Sequence, residues 1–370
     1  MAGSETTRRS KAAVLTPDGS GVQIWTREVP PPARACILIK VLRAGVCGTD
    51  AHLAKGDQPF PDPVVLGHEG LGQIIELGEG VATDHAGHPI AVGDIVYWNP
   101  IRPCNACYDC TISEDFTACT NGTFWSPADR AEVWASYTEL ATLLPNNSFY
   151  RIDPNVPLDA FIALGCALPT ILQALDHLGG IPSGSTVLVQ GAGPVGLAAI
   201  MMAKLANARD IICIEGVDSR LQRAQEFGAT LLVDFRKPEL SSRQARQSFI
   251  NSSIGPRGVG VAIECSGNAA AFDEGISLLG RSGKYLLVGT WAGNSTVPFC
   301  PFDVVQKALT VVGSTFASPK HYYRAARLVE TNHEVFPLAQ CVTHKYTLDE
   351  TIEALRAVGA GEVVKAVVIP

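Results

Sequence analysis

The sequence predicts a two-part α/β chain: an irregular, mostly β first half, then a half built on a doubly wound parallel sheet. Three observations carry this. At roughly 100–200 residues per domain, the 370 residues favour two domains. A hydrophobic fraction of 46% against 18% charged supports a sizeable core and excludes a disordered, collagen-like or coiled-coil chain. Near Gly184 the texture changes, from short β-branched runs among Gly and Pro to strands that alternate with helices.

In chain order, residues 1–11 are small, polar and basic, without the apolar stretch of a secretory signal. Residues 37–42, 72–77 and 94–98 read as short strands, punctuated by Pro30-Pro31-Pro32, Pro59-Phe60-Pro61 and Asp62-Pro63. Beyond Gly184, residues 186–190 form an apolar strand, residues 191–196 a glycine-rich turn and residues 197–207 a helix. Residues 211–215 are a second strand, and the charged amphipathic helix at 219–227 stops at Gly228. Further buried strands at 231–233, 259–264, 285–289 and 310–313, with helices between several of them, imply a parallel sheet covered on both faces. The tail has helices near 321–331 and 349–357 and a last strand at 365–369. A charge-free window at 177–203 raises the question of a membrane span, but Gly179-Gly180, Pro182 and Ser183-Gly184-Ser185 break it. No span is predicted.

Lys and Arg total 29 against 36 for Asp and Glu, a net charge of −7, which argues against nucleic acid or anionic membranes as partners. Eleven cysteines without a signal peptide point to a reducing compartment, the cytoplasm, where disulfides are rare. Cys36, Cys213, Cys265, Cys300 and Cys341 are scattered and expected mostly in the core.

Gly191-x-Gly193-x-x-Gly196 follows a strand and opens a helix, the context a dinucleotide fingerprint requires. Gly191 allows the turn, Gly193 lets the backbone approach a pyrophosphate, and Gly196 lets helix and strand pack closely. The helix N-terminus offers unpaired N–H groups to the phosphates. Glu215, at the end of the second strand, would bind the adenosine ribose hydroxyls and repel a 2′-phosphate, which favours NAD over NADP. Pro194, Val195 and Arg220 complete the candidate contacts here.

Cys104-x-x-Cys107-x-x-Cys110, followed by Cys119, supplies four thiolates on a short loop, the ligand set of a closed structural zinc site. A second group, Cys47-Gly48-Thr49-Asp50-Ala51-His52 with Gly67-His68-Glu69, contains soft and borderline ligands, but two ligands do not make a site. Taken alone, His68 is equally a structural histidine and His52 a surface one.

With these motifs in this order, and with Glu264-Cys265-Ser266-Gly267, nearly the whole chain resembles the zinc-dependent medium-chain alcohol dehydrogenases. Residues 137–156 look closer to the sorbitol and cyclic-alcohol branch than to the ethanol enzymes. The resemblance implies a GroES-like catalytic domain at 1–166 and 318–370 enclosing a Rossmann NAD-binding domain at 167–317. It implies a catalytic zinc on Cys47, His68 and Cys166, with Glu69 an occasional ligand and Asp50 orienting His68. Sorbitol enzymes usually carry Glu where Cys166 stands. The lobe's last spacing, residues 111–118, is one longer than usual in the family. Gly48 replaces a pyrophosphate-binding arginine of several ethanol enzymes, which leaves Lys365 to supply that charge.

The implied reaction is reversible oxidation of an alcohol, expected to be secondary or cyclic and of moderate bulk, with hydride passing to NAD. Thr49 would accept the alcohol proton and pass it through the cofactor ribose to His52. Val195 would pack behind the nicotinamide, Thr170 would touch it, and Val288-Gly289 would meet its amide. Trp98, Phe124, Trp125 and Trp291 are candidate pocket aromatics. A homodimer or homotetramer through the sheet edge is implied. Two competing readings are an NAD(P)H-dependent reductase of an activated C=C or C=N bond and a catalytically silent zinc- and nucleotide-binding protein.

Overall fold

Six strands alternate with helices in the second half of the chain, and their order fixes where a ligand can lie. In the computed structural model, which describes residues 7–57, 60, 62–289, 296, 297, 299–361 and 363–370, these strands are Thr186–Gln190, Asp210–Glu215, Leu231–Asp234, Val259–Glu264, Leu279–Leu287 and Thr310–Gly313. Counted along the chain as one to six, they lie in the spatial order 3-2-1-4-5-6 and every neighbouring pair is parallel. Strand one is buried at all five residues and strand two at all but its first, as expected of strands covered on both faces. The order reverses between strands one and four, which opens a crevice at their C-terminal ends. This is the Rossmann arrangement.

The helix expected at 197–207 begins earlier, as Pro194–Leu205, because Pro194 sits at its first turn with φ preset and no N–H to satisfy. Asn268 caps Ala269–Leu278 by accepting from the Ala270 N–H at 2.9 Å, and Ser242 caps Arg243–Ile254 at 3.1 Å. Strand five starts at Leu279, well before the expected 285, and ends at Leu287. Its charged Arg281 and the left-handed Ser282, with φ of 58°, conceal its first half from a hydrophobicity pattern.

The chain divides into two compact units, residues 1–169 with 317–334 and 338–370, and residues 170–316 with 335–337. The first unit contains two sheets. In the smaller, Gly21–Val29 pairs antiparallel with Arg8–Thr16, followed by Val64–Val65 and Ser126–Pro127. The strand Arg8–Thr16 begins within the polar N-terminal stretch, and its Ala12–Leu15 core is fully covered. The larger sheet runs Val342–Thr347, Lys365–Ile369, Ile37–Val46, Gly70–Leu77, Ile95–Trp98, Phe149–Arg151, with Leu140–Leu143 also paired to Ile37–Val46. The last strand, read at 365–369, therefore lies directly beside the one that leads into Cys47. Trp98, one of the candidate pocket aromatics, is core, as buried aromatics more often are: it is 0% exposed, its indole donates to the Trp134 carbonyl, and it fills the space left by Gly70. Among the described residues no helix is long and apolar enough to cross a membrane.

Candidate metal centres and dinucleotide crevice

Cys47 ends the strand–helix junction as the cap residue of Gly48–Ala54, and Asp50 accepts the Cys47 N–H at 3.2 Å. That short helix presents Thr49 and His52 one turn apart. The Cys47 thiol lies 3.6 Å from Cys166 Sγ and 3.7 Å from Thr49 Oγ1. His68, in the loop before Gly70–Leu77, is buried and pairs through Nδ1 with Asp50 Oδ1 at 3.0 Å, which leaves Nε2 for the thiol side. Ligand atoms of Cys47, His68, Glu69 and Cys166 all lie within 4.8 Å of one another. Three residues from two distant segments, His68 with Glu69 and Cys166, thus meet the Cys47 motif.

The titratable groups here act strongly on one another. The Cys166 thiol hydrogen-bonds the Cys47 sulfur, and with help from His68 and Lys365 it pulls the Cys47 thiol well below the usual thiol range. The same pairing and burial push Cys166 well above it. Burial lowers the basicity of His68, but Asp50 and Cys47 outweigh it and the net shift is upward. Two sulfurs, an imidazole and a neighbouring carboxylate are the donor set zinc takes in open sites, so the residues present fit the ion.

Glu69 is 1% exposed, and a Cβ on either Gly45 or Gly165 would stand 1.9 Å from its carboxylate oxygen. Both glycines make the slot that holds it. Lys365 closes the slot: its ammonium contacts Glu69 and its side chain is 1% exposed. That departs from the expectation of a pyrophosphate contact. The strand Lys365–Ile369 pairs with Ile37–Val46, and Lys365 is held inside the unit with Glu69 as its counter-charge.

Sequence reading passed over Tyr137 as a site residue. Its hydroxyl donates to Asp50 Oδ2 at 3.0 Å, and its ring occupies the space a side chain at Gly67 would need. A separation of 87 residues from Asp50 leaves no local signal for this contact. His52 lies outside the buried cluster, one-third exposed, with Nδ1 2.7 Å from Asp57. Phe124 and Trp125 stand beside the His68 ring at centroid distances of 5.3 and 6.3 Å. Trp291 lies outside the described residues.

Cys104, Cys107, Cys110 and Cys119 form a second group whose sulfurs lie within 4.8 Å of one another. Cys107 is 3.6 Å from Cys110 and 3.8 Å from Cys119. Within the last spacing Glu114 is left-handed with φ of 53°, and Asp115 caps the 3-10 turn Phe116–Ala118. Of the scattered cysteines, Cys36, Cys213 and Cys341 are buried, Cys265 is half-buried, and Cys300 is exposed.

In the second unit, a cavity of about 630 Å³ opens at the strand ends, lined among others by Gly191, Gly193, Glu215, Arg220, Phe235 and Ser266. Gly191 has φ of 89°, a conformation that favours glycine. A Cβ on Gly193 would meet nothing within 4 Å, so the backbone is open to a ligand, whereas one on Gly196 would stand 1.9 Å from the Gly191 carbonyl. Glu215 is buried and accepts from Ala192 N at 2.8 Å, Gly216 N at 2.6 Å and Val217 N at 3.1 Å. Val195 lies in the first turn of Pro194–Leu205, Thr170 on Ala167–Leu178, and Val288-Gly289 just after strand five.

A profile of the alcohol dehydrogenase GroES-like domain matches residues 34–153, and one of the zinc-binding dehydrogenase matches residues 194–331. Over 360 residues the chain is 39% identical to the 5-exo-hydroxycamphor dehydrogenase of Pseudomonas putida, covering 97% of this chain and 98% of that one. A sorbitol dehydrogenase of Halalkalibacterium halodurans is 30% identical over 362 residues, 97% of this chain and 99% of that one. The solved structure of an alcohol dehydrogenase from Thermotoga maritima superposes with a TM-score of 0.91 at 29% identity, covering 98% of this chain and all of that one.

Proposed function

The chain belongs to the zinc-dependent medium-chain alcohol dehydrogenase family and is an NAD(P)-linked alcohol oxidoreductase; we propose that it oxidises a secondary or cyclic alcohol of moderate bulk and prefers NAD. The observation that carries this reading is the convergence of Cys47, His68 and Cys166 beside the aromatic pair Phe124 and Trp125. Resemblance to a hydroxycamphor dehydrogenase supports a rigid cyclic alcohol as substrate.

Cys47, His68 and Cys166 would hold the catalytic zinc, with Glu69 as an occasional fourth protein ligand. The bound ion supplies Lewis acidity, which makes a coordinated hydroxyl a far stronger acid, and NAD supplies the hydride acceptor. Thr49, beside Cys47, accepts the alcohol proton, and the partly exposed His52, paired with Asp57, is the group that exchanges protons with water. Asp50 fixes the tautomer of His68 by accepting from Nδ1. Phe124 and Trp125, packed edge-on at a centroid distance of 4.5 Å, would offer an apolar wall to the substrate ring system.

Gly191, Gly193, Pro194, Val195 and Gly196 form the pyrophosphate turn, while Thr170 and Val288-Gly289 are the nicotinamide contacts. Glu215, an acceptor held by three backbone amides, would take the ribose hydroxyls and oppose a 2′-phosphate, and Arg220 flanks it. The four-cysteine lobe would hold a second, structural zinc. Eleven free thiols suit a reducing compartment such as the cytoplasm. Exposed Phe299, Phe302 and Val305, which precede the edge strand Thr310–Gly313 in sequence, and Val311 within it support a homo-oligomer through that edge.

The test is steady-state oxidation of a panel of alcohols with NAD and with NADP. Cyclic secondary alcohols should exceed small primary ones in kcat/KM, and a chelator should abolish turnover while NADH still binds. Higher kcat/KM with small primary alcohols, or with NADP, would overturn the corresponding assignment. A zinc-independent reduction of C=C or C=N bonds would replace the reading altogether.

A further inference from the structure

We infer that Glu264 is a positioning residue for the cofactor: its buried carboxylate holds the loop after strand four at the edge of the dinucleotide crevice. The inference rests on the dinucleotide reading above. Glu264 ends strand four and is 0% exposed. Its Oε1 accepts from Ser266 N at 2.6 Å, Ser266 Oγ at 2.6 Å and Gly267 N at 2.9 Å. The Glu264 carbonyl accepts from Val288 N and Gly289 N, both at 3.0 Å, so the same residue also holds the turn after strand five.

The loop it ties down is wedged between two glycines. A Cβ on Gly289 would come within 2.3 Å of Glu264 Oε2 and 2.4 Å of Gly267 N. On the other side, a Cβ on Gly191 would stand 3.0 Å from Ser266 Cα, and Cys265 N donates to the Gln190 carbonyl at 2.9 Å. Gly191 is therefore packed against Ser266, and Gly289 against Gly267 and the Glu264 carboxylate, and Gly191 and Ser266 line the 630 Å³ cavity. Burying a carboxylate is costly unless donors surround it. Here the donors belong to the crevice loop rather than to a sheet ladder, so the cost is met where a ligand needs fixed walls. An amide at this position can leave its carbonyl on the three donors that Oε1 serves, but it removes the negative charge that strengthens those bonds.

The experiment compares wild type, Glu264→Gln and Glu264→Asp as zinc-loaded full-length chains, using NADH fluorescence titration, KM for NAD against kcat, and amide hydrogen exchange. In Glu264→Gln the NADH Kd and the KM for NAD should rise about tenfold, the loss expected for a hydrogen bond to a buried charge. Saturating kcat should stay within about twofold, and exchange should quicken at 266–267 but not within strand one. Glu264→Asp, which keeps the charge on a shorter arm, should fall between the two. If Glu264→Gln does not fold, Glu264→Asp carries the test alone, with a weaker loss in the same direction. An unchanged NADH Kd in the folded variant overturns the inference, and so does faster exchange throughout the parallel sheet. Failure of the wild type to bind NADH would sink the dinucleotide reading itself, an outcome separable from equal binding by wild type and variant.

Discussion

At the scale of single residues, the metal centre is a chain of orientation. Asp50 Oδ1 accepts from His68, while Asp50 Oδ2 accepts from the Cys47 N–H and the Tyr137 hydroxyl. One carboxylate thus fixes two prospective ligands, and Tyr137 fixes the carboxylate. Partners behind a metal ligand typically affect metal affinity by about 10–100-fold. Asp50→Asn should therefore weaken zinc binding by roughly that factor, and Tyr137→Phe by several-fold, each read by competition with a zinc indicator dye. In an Asp50→Ala background, Tyr137→Phe should have a much smaller effect on affinity, because its hydrogen bond to Asp50 is gone and only the one to the Gly45 carbonyl remains. Tyr137→Phe with wild-type affinity would assign the hydroxyl a purely packing role. The motif around Cys47, Asp50 and His68 was legible because its residue types are chemically specific. Tyr137 was not, since nothing local distinguishes it from a core tyrosine.

At the scale of elements, alternation and punctuation carried most of the information. Strands one, four and six of the parallel sheet and the final strand Lys365–Ile369 begin and end where an apolar run meets a turn signal. Strand five and the N-terminal hairpin were hidden by Arg and Lys on strand positions. The cysteine lobe lacks an apolar core of its own, and Tyr108 and Ile112 on its surface are 69% and 67% exposed. A zinc ion held by its sulfurs would supply its order. Cys119→Ser should leave one zinc per chain instead of two by elemental analysis and lower the Tm, with proteolysis mapping first to residues 104–122. A variant that retains two zinc ions would remove Cys119 from the ligand set.

At the scale of the molecule, the edge strand Thr310–Gly313 ends the parallel sheet, and in the helix Pro301–Lys307 that precedes it in sequence Phe302 and Val305 are 64% and 77% exposed. Exposed apolar side chains along an edge strand invite pairing with another copy. A Val305→Asp, Val311→Lys double variant should sediment as a smaller species than wild type at equal concentration, with zinc content unchanged. Identical sedimentation would move the interface elsewhere.

By itself the sequence determined the mixed α/β fold class, a glycine-rich turn between a strand and a helix, and two groups of residue types suited to a metal. Those features depend on periodicity, on glycine's conformational range and on ligand chemistry, all of which act over a few residues. Only the tertiary structure decided that Lys365 is a buried partner of Glu69, that Trp98 is core, and that Tyr137 and Glu264 act as props. Each of those facts arises from contacts made when distant strands pair. A charge in an apolar interior must then take whichever counter-charge or donor the fold brings to it.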